Sequence, residues 1–139
     1  MWIQREVQLR PRARGFHIIT EELLRGLPEI GDLSVGIAHF FIKHTSASLT
    51  INENADHTVR EDFENFFNRT VPEGEPYYRH VLEGNDDLPA HIKGSILGSS
   101  VTVPISEGSL NLGIWQGIYL CEHRNQGGSR TLIVTIQGE

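Results

Sequence analysis

Three groups of histidines and carboxylates are the side chains of this sequence best suited to do chemistry. The first is His44, which follows the apolar segment 34–43 and precedes the hydroxyl-rich run 45–48. A residue at the end of a buried strand is held by the sheet but remains open to solvent, which suits ligand binding. The hydroxyl groups of Thr45 and Ser46 can hydrogen-bond a phosphate or another substrate oxygen. A surface histidine in a plain turn explains the pattern equally well.

The second group lies in residues 85–91, where two aspartates precede a histidine. If Asp87 starts a helix, with Pro89 tolerated in the first turn, His91 lies one turn later on the same face. A carboxylate beside an imidazole orients its tautomer and raises its basicity, as the partners of metal-bound histidines do. Asp86 precedes the helix and can turn into the same pocket. A capped helix with one helical ion pair is the simpler explanation for this run alone.

The third group, Glu122, His123 and Arg124, ends a predicted strand before the turn 125–128. Glu122 is a candidate general base and His123 a candidate ligand, while Arg124 or Arg130 can bind a phosphate. Adjacent residues of a strand point to opposite faces, so Glu122 and His123 share one pocket only if a bulge turns one of them. A site shared between subunits would also resolve this conflict.

His44, His91 and His123 would together supply three imidazoles and leave one position open, which is the arrangement of a catalytic zinc site. Asp86 is an oxygen alternative to His123. The chain holds neither H-E-x-x-H nor C-x-x-C, so no local motif supports a metal. Neutral imidazole binds zinc, copper, nickel and iron alike, and zinc is the ion we expect. Cys121 follows the apolar residues 118–120, which predicts a buried, inert thiol.

Short helices and strands must position these groups. Hydrophobic patterning predicts strands at 2–9, 34–43, 49–52, 100–105, 117–123 and 130–137. The second of these is apolar enough to be buried on both faces. Helices are predicted to begin at Thr20, Asp56 and Asp87, and the middle one carries an apolar stripe that includes Phe63, predicted to be core. Helices interleave with strands early in the chain and strands dominate late, which favours an α+β fold with a mixed sheet over a doubly wound α/β fold.

The composition limits the class of protein. With 139 residues and ordinary apolar and charged fractions, the chain fits one domain spanning residues 1–139. A net charge of -6 argues against nucleic acid as the main partner, and one cysteine excludes an intrachain disulfide framework. No apolar run approaches the ~20 residues that span a bilayer, and the N-terminus lacks a signal peptide's apolar stretch. We therefore expect a cytoplasmic protein with neither a membrane nor a nucleic-acid partner.

Several separated blocks resemble the YjbQ-like family over nearly the whole chain. They are HTSASLT at 44–50, NEN at 52–54, GNDDLPAHIK at 84–93, GIWQGI at 113–118, EHR at 122–124 and IQGE at 136–139. The resemblance implies an α+β domain whose mixed β-sheet is curled into a half-barrel with helices packed on it. It also implies a homotrimer, a bound metal and a weak thiamine-phosphate synthase activity, in which a pyrimidine diphosphate loses pyrophosphate while a thiazole phosphate attacks.

The same resemblance assigns roles to individual residues. The family's polar pocket maps onto His44, Asn52, Asp86, His91 and Glu122, and His123 also matches. Among these, Glu122, Asp86 and Asn52 are the expected catalytic groups. The expected contacts of a phosphorylated substrate are Thr45, Ser46, Lys93, Arg124 and Arg130. A diphosphate enzyme should carry more cations in its pocket than these blocks supply.

Three functional classes remain open from the sequence. The first is a metal-dependent enzyme acting on a small phosphorylated or heterocyclic substrate. The second is a non-catalytic module that binds a small molecule or a metal. The third is a scaffold or interaction protein that functions through its trimeric assembly. Titratable groups at the ends of secondary-structure elements favour the first two classes.

Overall fold

The computed structural model describes all residues from Met1 to Glu139. Its elements, in chain order, are β1 (Trp2–Leu9), β2 (Gly15–Ile18), α1 (Thr20–Arg25), a 3-10 helix (Pro28–Asp32), β3 (Val35–Ile42), β4 (Ala47–Glu53), α2 (His57–Thr70), α3 (Asp87–Leu97), β5 (Ser100–Ser106), β6 (Ser109–Leu110), β7 (Gln116–Glu122) and β8 (Arg130–Gly138). None of the helices combines the length and the apolar character needed to cross a membrane.

The strands form two antiparallel sheets. One has five strands in the order β1-β8-β3-β5-β6 and is curled into a half-barrel, and the other has the order β2-β7-β4. The predicted α+β class, single domain and half-barrel are confirmed. The pairing differs from the mixed sheet that we expected, because every strand pair is antiparallel.

The main core lies on the inner faces of the two sheets. Alternate residues of β3 and β8 face inward, among them Phe40 and Val134, and both are fully buried. Residues of β4 and β7, such as Leu49 and Leu120, belong to the same core. This alternation is the period-2 pattern of strands that bury one face.

The outer face of β3 corrects one prediction. We expected this strand to be buried on both faces, but Val35, Ile37 and Phe41 are exposed in the single chain. Trp2 on the neighbouring edge of the same sheet is also exposed. Because no helix covers this face, the five-stranded sheet presents apolar side chains to solvent.

Helix α2 packs its apolar stripe outside the main core. Phe63 and Phe67 are half-buried against Phe16, with ring centroids 5.5 Å and 5.8 Å apart, whereas Phe66 is exposed. The stripe therefore forms part of a small second cluster around Phe16 instead of the predicted core helix. The predicted cap is present, since the Asp56 side chain accepts a hydrogen bond from the Thr58 backbone N–H at 2.9 Å.

Helix α3 packs unusually close to the connection between β3 and β4. It begins at Asp87, as predicted, and ends at Leu97, just before Gly98, whose φ of 102° is a left-handed conformation that favours glycine. A Cβ on Gly94 would lie 3.2 Å from the carbonyl oxygen of Thr45. The missing side chain thus lets the helix approach this backbone, which brings His91 within reach of it.

Candidate metal centre

His80, Asp87 and His91 place three potential metal-ligand atoms within 4.8 Å of one another. Nε2 of His80 lies 2.7 Å from Oδ2 of Asp87, and Nε2 of His91 lies 3.0 Å from the same oxygen. The Asp87 side chain is 2% exposed, whereas the two imidazoles are 47% and 32% exposed. A buried anion therefore faces two solvent-accessible bases, which is an arrangement suited to a cation.

The orientation of the His91 ring is set on both sides by oxygen atoms. Its Nδ1 lies 3.0 Å from the carbonyl oxygen of Thr45, and because a carbonyl only accepts, Nδ1 must carry the proton. In the neutral ring, Nε2 then presents a lone pair to the Asp87 carboxylate. Burial alone would raise the pKa of Asp87, but the hydrogen bond from His80, the charge that His91 carries when protonated, and the charge of Arg124 hold it below the ordinary value. A cation between Nε2 and the carboxylate, either a second proton or a metal ion, removes the repulsion.

Arg124 holds the two aspartates in place. Its Nη1 lies 2.5 Å from Oδ1 of Asp87, and its Nε lies 2.9 Å from Oδ2 of Asp86. Asp86 also accepts a hydrogen bond from the Asn125 backbone N–H at 2.9 Å. Burial alone would raise the pKa of Asp86, but these hydrogen bonds and the Arg124 charge hold it below the ordinary value. Asp86 hydrogen-bonds neither histidine, and Arg124 is committed to carboxylates, so both support the cluster from outside.

An open cleft of about 540 Å³ lies beside the cluster. Its lining is His44, Thr45, Ala47, His91, Gly94, Ser95, Gly98 and Ser99. The cleft therefore combines two imidazoles, three hydroxyls and open backbone, with no carboxylate, lysine or arginine. His44 and His91 share this cleft, but His44 is not part of the group of converging ligand atoms.

His123 lies apart from the other two histidines that we expected beside it. It is buried, its Nε2 lies 2.8 Å from Oγ of Ser48, and its ring packs against Phe16 at 6.3 Å between centroids. Burial, assisted by nearby cations of which Lys93 is the first, lowers the pKa of His123 to about 3. Within one chain the three-histidine set does not converge, because strand alternation sends this ring into the second cluster.

Glu122 points away from His123 and is enclosed with Arg130. The Glu122 carboxylate lies 2.5 Å from Nη2 and 2.7 Å from Nε of Arg130, whose Nη2 also donates to Oγ of Ser46 at 3.0 Å. A side chain on Gly127 would clash with this carboxylate, so the turn lies directly over it. Glu122, the expected general base, is therefore bound in the interior to Arg130, which also binds Ser46. Arg130 and Ser46 were both expected to contact a phosphate.

The remaining expected site residues also lie outside the cleft. Lys93 is buried and donates to Oδ1 of Asn68 at 3.1 Å. Asn52 is exposed on β4, five residues beyond Ala47, which is ~17 Å along a strand.

Cys121 is buried, and burial raises the pKa of its thiol to about 12, in agreement with the inert thiol that we predicted.

His80 is the residue of the cluster that the sequence analysis missed. It lies in the irregular connection 71–86 between α2 and α3, where no periodic pattern marks a face. The available sign was its spacing, with His80 seven residues before Asp87 and His91 four residues after it.

A family model described as UPF0047 protein YjbQ-like matches residues 5–139. The chain belongs to the YjbQ-like UPF0047 family. UPF0047 protein YjbQ of Escherichia coli O157:H7 is 50% identical over 139 residues, covering 100% of both chains. A UPF0047 protein of Synechocystis sp. is 47% identical over 107 residues, which are 77% of this chain and 73% of that protein. The family resemblance drawn from the sequence blocks is thus confirmed.

Solved YjbQ-like structures share the fold. An uncharacterised YjbQ/UPF0047 protein of Clostridium acetobutylicum superposes with a TM-score of 0.83 at 38% identity, covering 96% of this chain and 99% of that one. A protein of unknown function from Sulfolobus solfataricus P2 superposes with a TM-score of 0.87 at 23% identity, covering 100% and 99%. These relatives place the chain in the family and its fold, and their descriptions assign no reaction.

Proposed function

We propose that this YjbQ-like protein is a metal-dependent enzyme acting on a small molecule. His80, Asp87 and His91 would hold a divalent ion, and zinc is the ion that we expect. The observation that carries the proposal is the position of His91 between the Thr45 carbonyl and the Asp87 carboxylate. Two nitrogens and one carboxylate oxygen match the ligand count of catalytic zinc sites, which keep a position open for substrate. An ion held there would supply Lewis-acid polarisation of a substrate oxygen.

The surrounding residues fit this role. The Thr45 carbonyl fixes the proton of His91 on Nδ1, which leaves Nε2 free to bind a metal ion. Arg124 donates to Oδ1 of Asp87, so that Oδ2 remains directed at the imidazoles. Such partners orient metal ligands and strengthen binding. This ligand set differs from the one expected from the sequence, and His91 is the only member common to both.

The test is the zinc content and thermal stability of the untagged protein purified without chelator. We expect one zinc ion per chain, a rise in melting temperature with added zinc, and weaker binding in acid as the histidines protonate. His91→Ala should lose the ion. His57→Ala is the matched control, since His57 faces Glu61 at the same helical spacing but both are exposed. If zinc, manganese and nickel neither bind stoichiometrically nor stabilise the protein, the proposal is wrong.

A non-catalytic module that binds a metal or a small molecule is the second candidate. It is favoured by the engagement of Glu122 with Arg130, and of Asp86 with Arg124, which leaves neither carboxylate free as a base in the single chain. A zinc-loaded protein that binds small molecules without converting them would support this alternative. The narrower assignment, a weak thiamine-phosphate synthase activity, is supported by family resemblance. Against it, Lys93, an expected diphosphate contact, is buried outside the cleft and donates to Asn68.

We also propose a homotrimer, in which the number of subunits rests on the family resemblance and self-association is supported by the uncovered apolar face of the five-stranded sheet. Trp2, Val35, Ile37 and Phe41 are exposed there, and a self-associating surface would bury them. Light scattering coupled to gel filtration should give three times the chain mass, and Ile37→Lys should reduce it. A monomeric mass for the unmodified protein at micromolar concentration would contradict the trimer.

A further inference from the structure

We infer that His44 serves as a neutral Nδ1–H donor that binds an uncharged carbonyl or amide oxygen of the molecule in the cleft, and that it does not ligate the metal. The inference deepens the proposed function, because it names the substrate class for the cleft beside the proposed metal. It concerns a residue that was counted among the expected metal ligands.

The tautomer of His44 follows from one hydrogen bond. The backbone N–H of Thr131, at the start of β8, donates to Nε2 of His44 at 2.9 Å. A backbone amide always carries its proton, so Nε2 must supply the lone pair, and the proton of the neutral ring lies on Nδ1. The bond holds the only lone pair of the neutral ring, which is therefore not available to a metal ion.

The surroundings keep this ring uncharged. Burial, followed by the charges of Arg130 and Lys43, lowers the pKa of His44, and the opposing charge of Glu122 does not reverse the shift. A neutral imidazole N–H donates a hydrogen bond without carrying a charge, so it suits a neutral acceptor oxygen. His44 lines the cleft together with His91, so a ligand there can contact both.

The cleft lacks the charges that a phosphate would need. None of its lining residues is a lysine, arginine or carboxylate. Of the cations near His44, Arg130 pairs with Glu122, and Lys43 is exposed and does not line the cleft, while Arg124 pairs with Asp86. The hydroxyls of Thr45, Ser95 and Ser99 can pair with polar, uncharged groups. A small amide or cyclic urea matches this lining better than a diphosphate does.

The first test is long-range proton–nitrogen NMR of the histidine rings at neutral pH. In the metal-free protein, His44 should show a protonated Nδ1 and an unprotonated Nε2. Added zinc should shift the ring nitrogens of His91 but not those of His44. His44→Gln, which keeps an acceptor and a donor, should leave the zinc dissociation constant within about threefold, less than 1 kcal/mol. Finding His44 as the Nε2–H tautomer, or coordinated to zinc, would overturn the inference.

The second test compares imidazolidin-2-one, a neutral cyclic urea, with inorganic pyrophosphate. The cyclic urea should shift the His44 Nδ1–H and the Gly94 and Gly98 amide signals, and His44→Leu should weaken its binding about tenfold. Pyrophosphate should leave these signals unchanged in the metal-free protein. The reverse preference, or no cyclic-urea shift at tens of millimolar, would overturn the substrate class. Because both probes are read in metal-free protein, failure of zinc binding would count against the proposed function alone.

Discussion

Asp87→Asn is expected to weaken zinc binding by more than about 100-fold. The basis is that losing a hydrogen-bonding partner of a ligand already costs 10–100-fold, and Asp87 is proposed as a ligand itself. The asparagine keeps the shape of the side chain but removes the charge that faces both imidazoles and Arg124. Titration calorimetry with a competing chelator measures the change directly.

Asp86→Asn is the matched control for this experiment. Asp86 precedes Asp87 in the chain and shares its Arg124 partner, but it hydrogen-bonds neither histidine. We therefore expect zinc affinity to change by less than about threefold, under 1 kcal/mol. The connection 71–86 between α2 and α3 should become less stable. Equal losses in the two variants would contradict the ligand role of Asp87 and would return Asp86 to consideration.

Local sequence patterns placed two of the three residues of the candidate metal centre, Asp87 and His91, beside each other. The position of His91 one turn after Asp87 follows from helical spacing, which is a property of neighbouring residues, although the expected cap by Asp87 is absent because Asp86 occupies the N-cap position without a side-chain hydrogen bond. His80 could not be found in the same way. It reaches Asp87 from an irregular connection whose path depends on tertiary contacts, among them the Arg124 side chain bound to the carbonyl of Glu83.

Strand alternation correctly predicted that the side chains of Glu122 and His123 point to opposite faces, but it could not assign either side chain to a site. Both faces of β7 are covered, so residues 117–123 are all buried and neither face is marked by exposure. The same limit applies to β3, where apolar residues on both faces predicted double burial although one face is open in the single chain. An apolar strand face that is exposed in the single chain has the same composition as one that is covered within it, so composition alone does not separate the two.

The role of His44 depends on contacts still more distant in the chain. Its position after a strand was enough to make it a candidate, and it does line the cleft. The Thr131 amide that sets its tautomer is 87 residues away and is brought there by the pairing of β3 with β8. Whether a histidine ligates or donates is thus decided by one backbone group that no local motif reveals.

Glu122→Ala is expected to lower the free energy of unfolding by about 3–5 kcal/mol, because it leaves a buried arginine without its counter-charge. The Glu122 side chain is 0% exposed and that of Arg130 is 6% exposed, and two short contacts join them. Ser46 accepts hydrogen bonds from Arg130 but carries no charge, so it cannot replace the carboxylate. Urea denaturation followed by circular dichroism measures the loss.

The double variant Glu122→Leu with Arg130→Met separates a structural pair from a catalytic carboxylate. Replacing both partners of a buried ion pair by apolar side chains of similar size is often neutral or stabilising, so most of the lost stability should return. Zinc affinity should remain unchanged in the double variant, since neither residue belongs to the His80–Asp87–His91 cluster. A single-variant loss below about 1 kcal/mol would mean that the pair contributes little. If the stable double variant bound zinc but had lost an activity that the unmodified protein shows, Glu122 would have to reach the substrate through movement of the turn that carries Gly127.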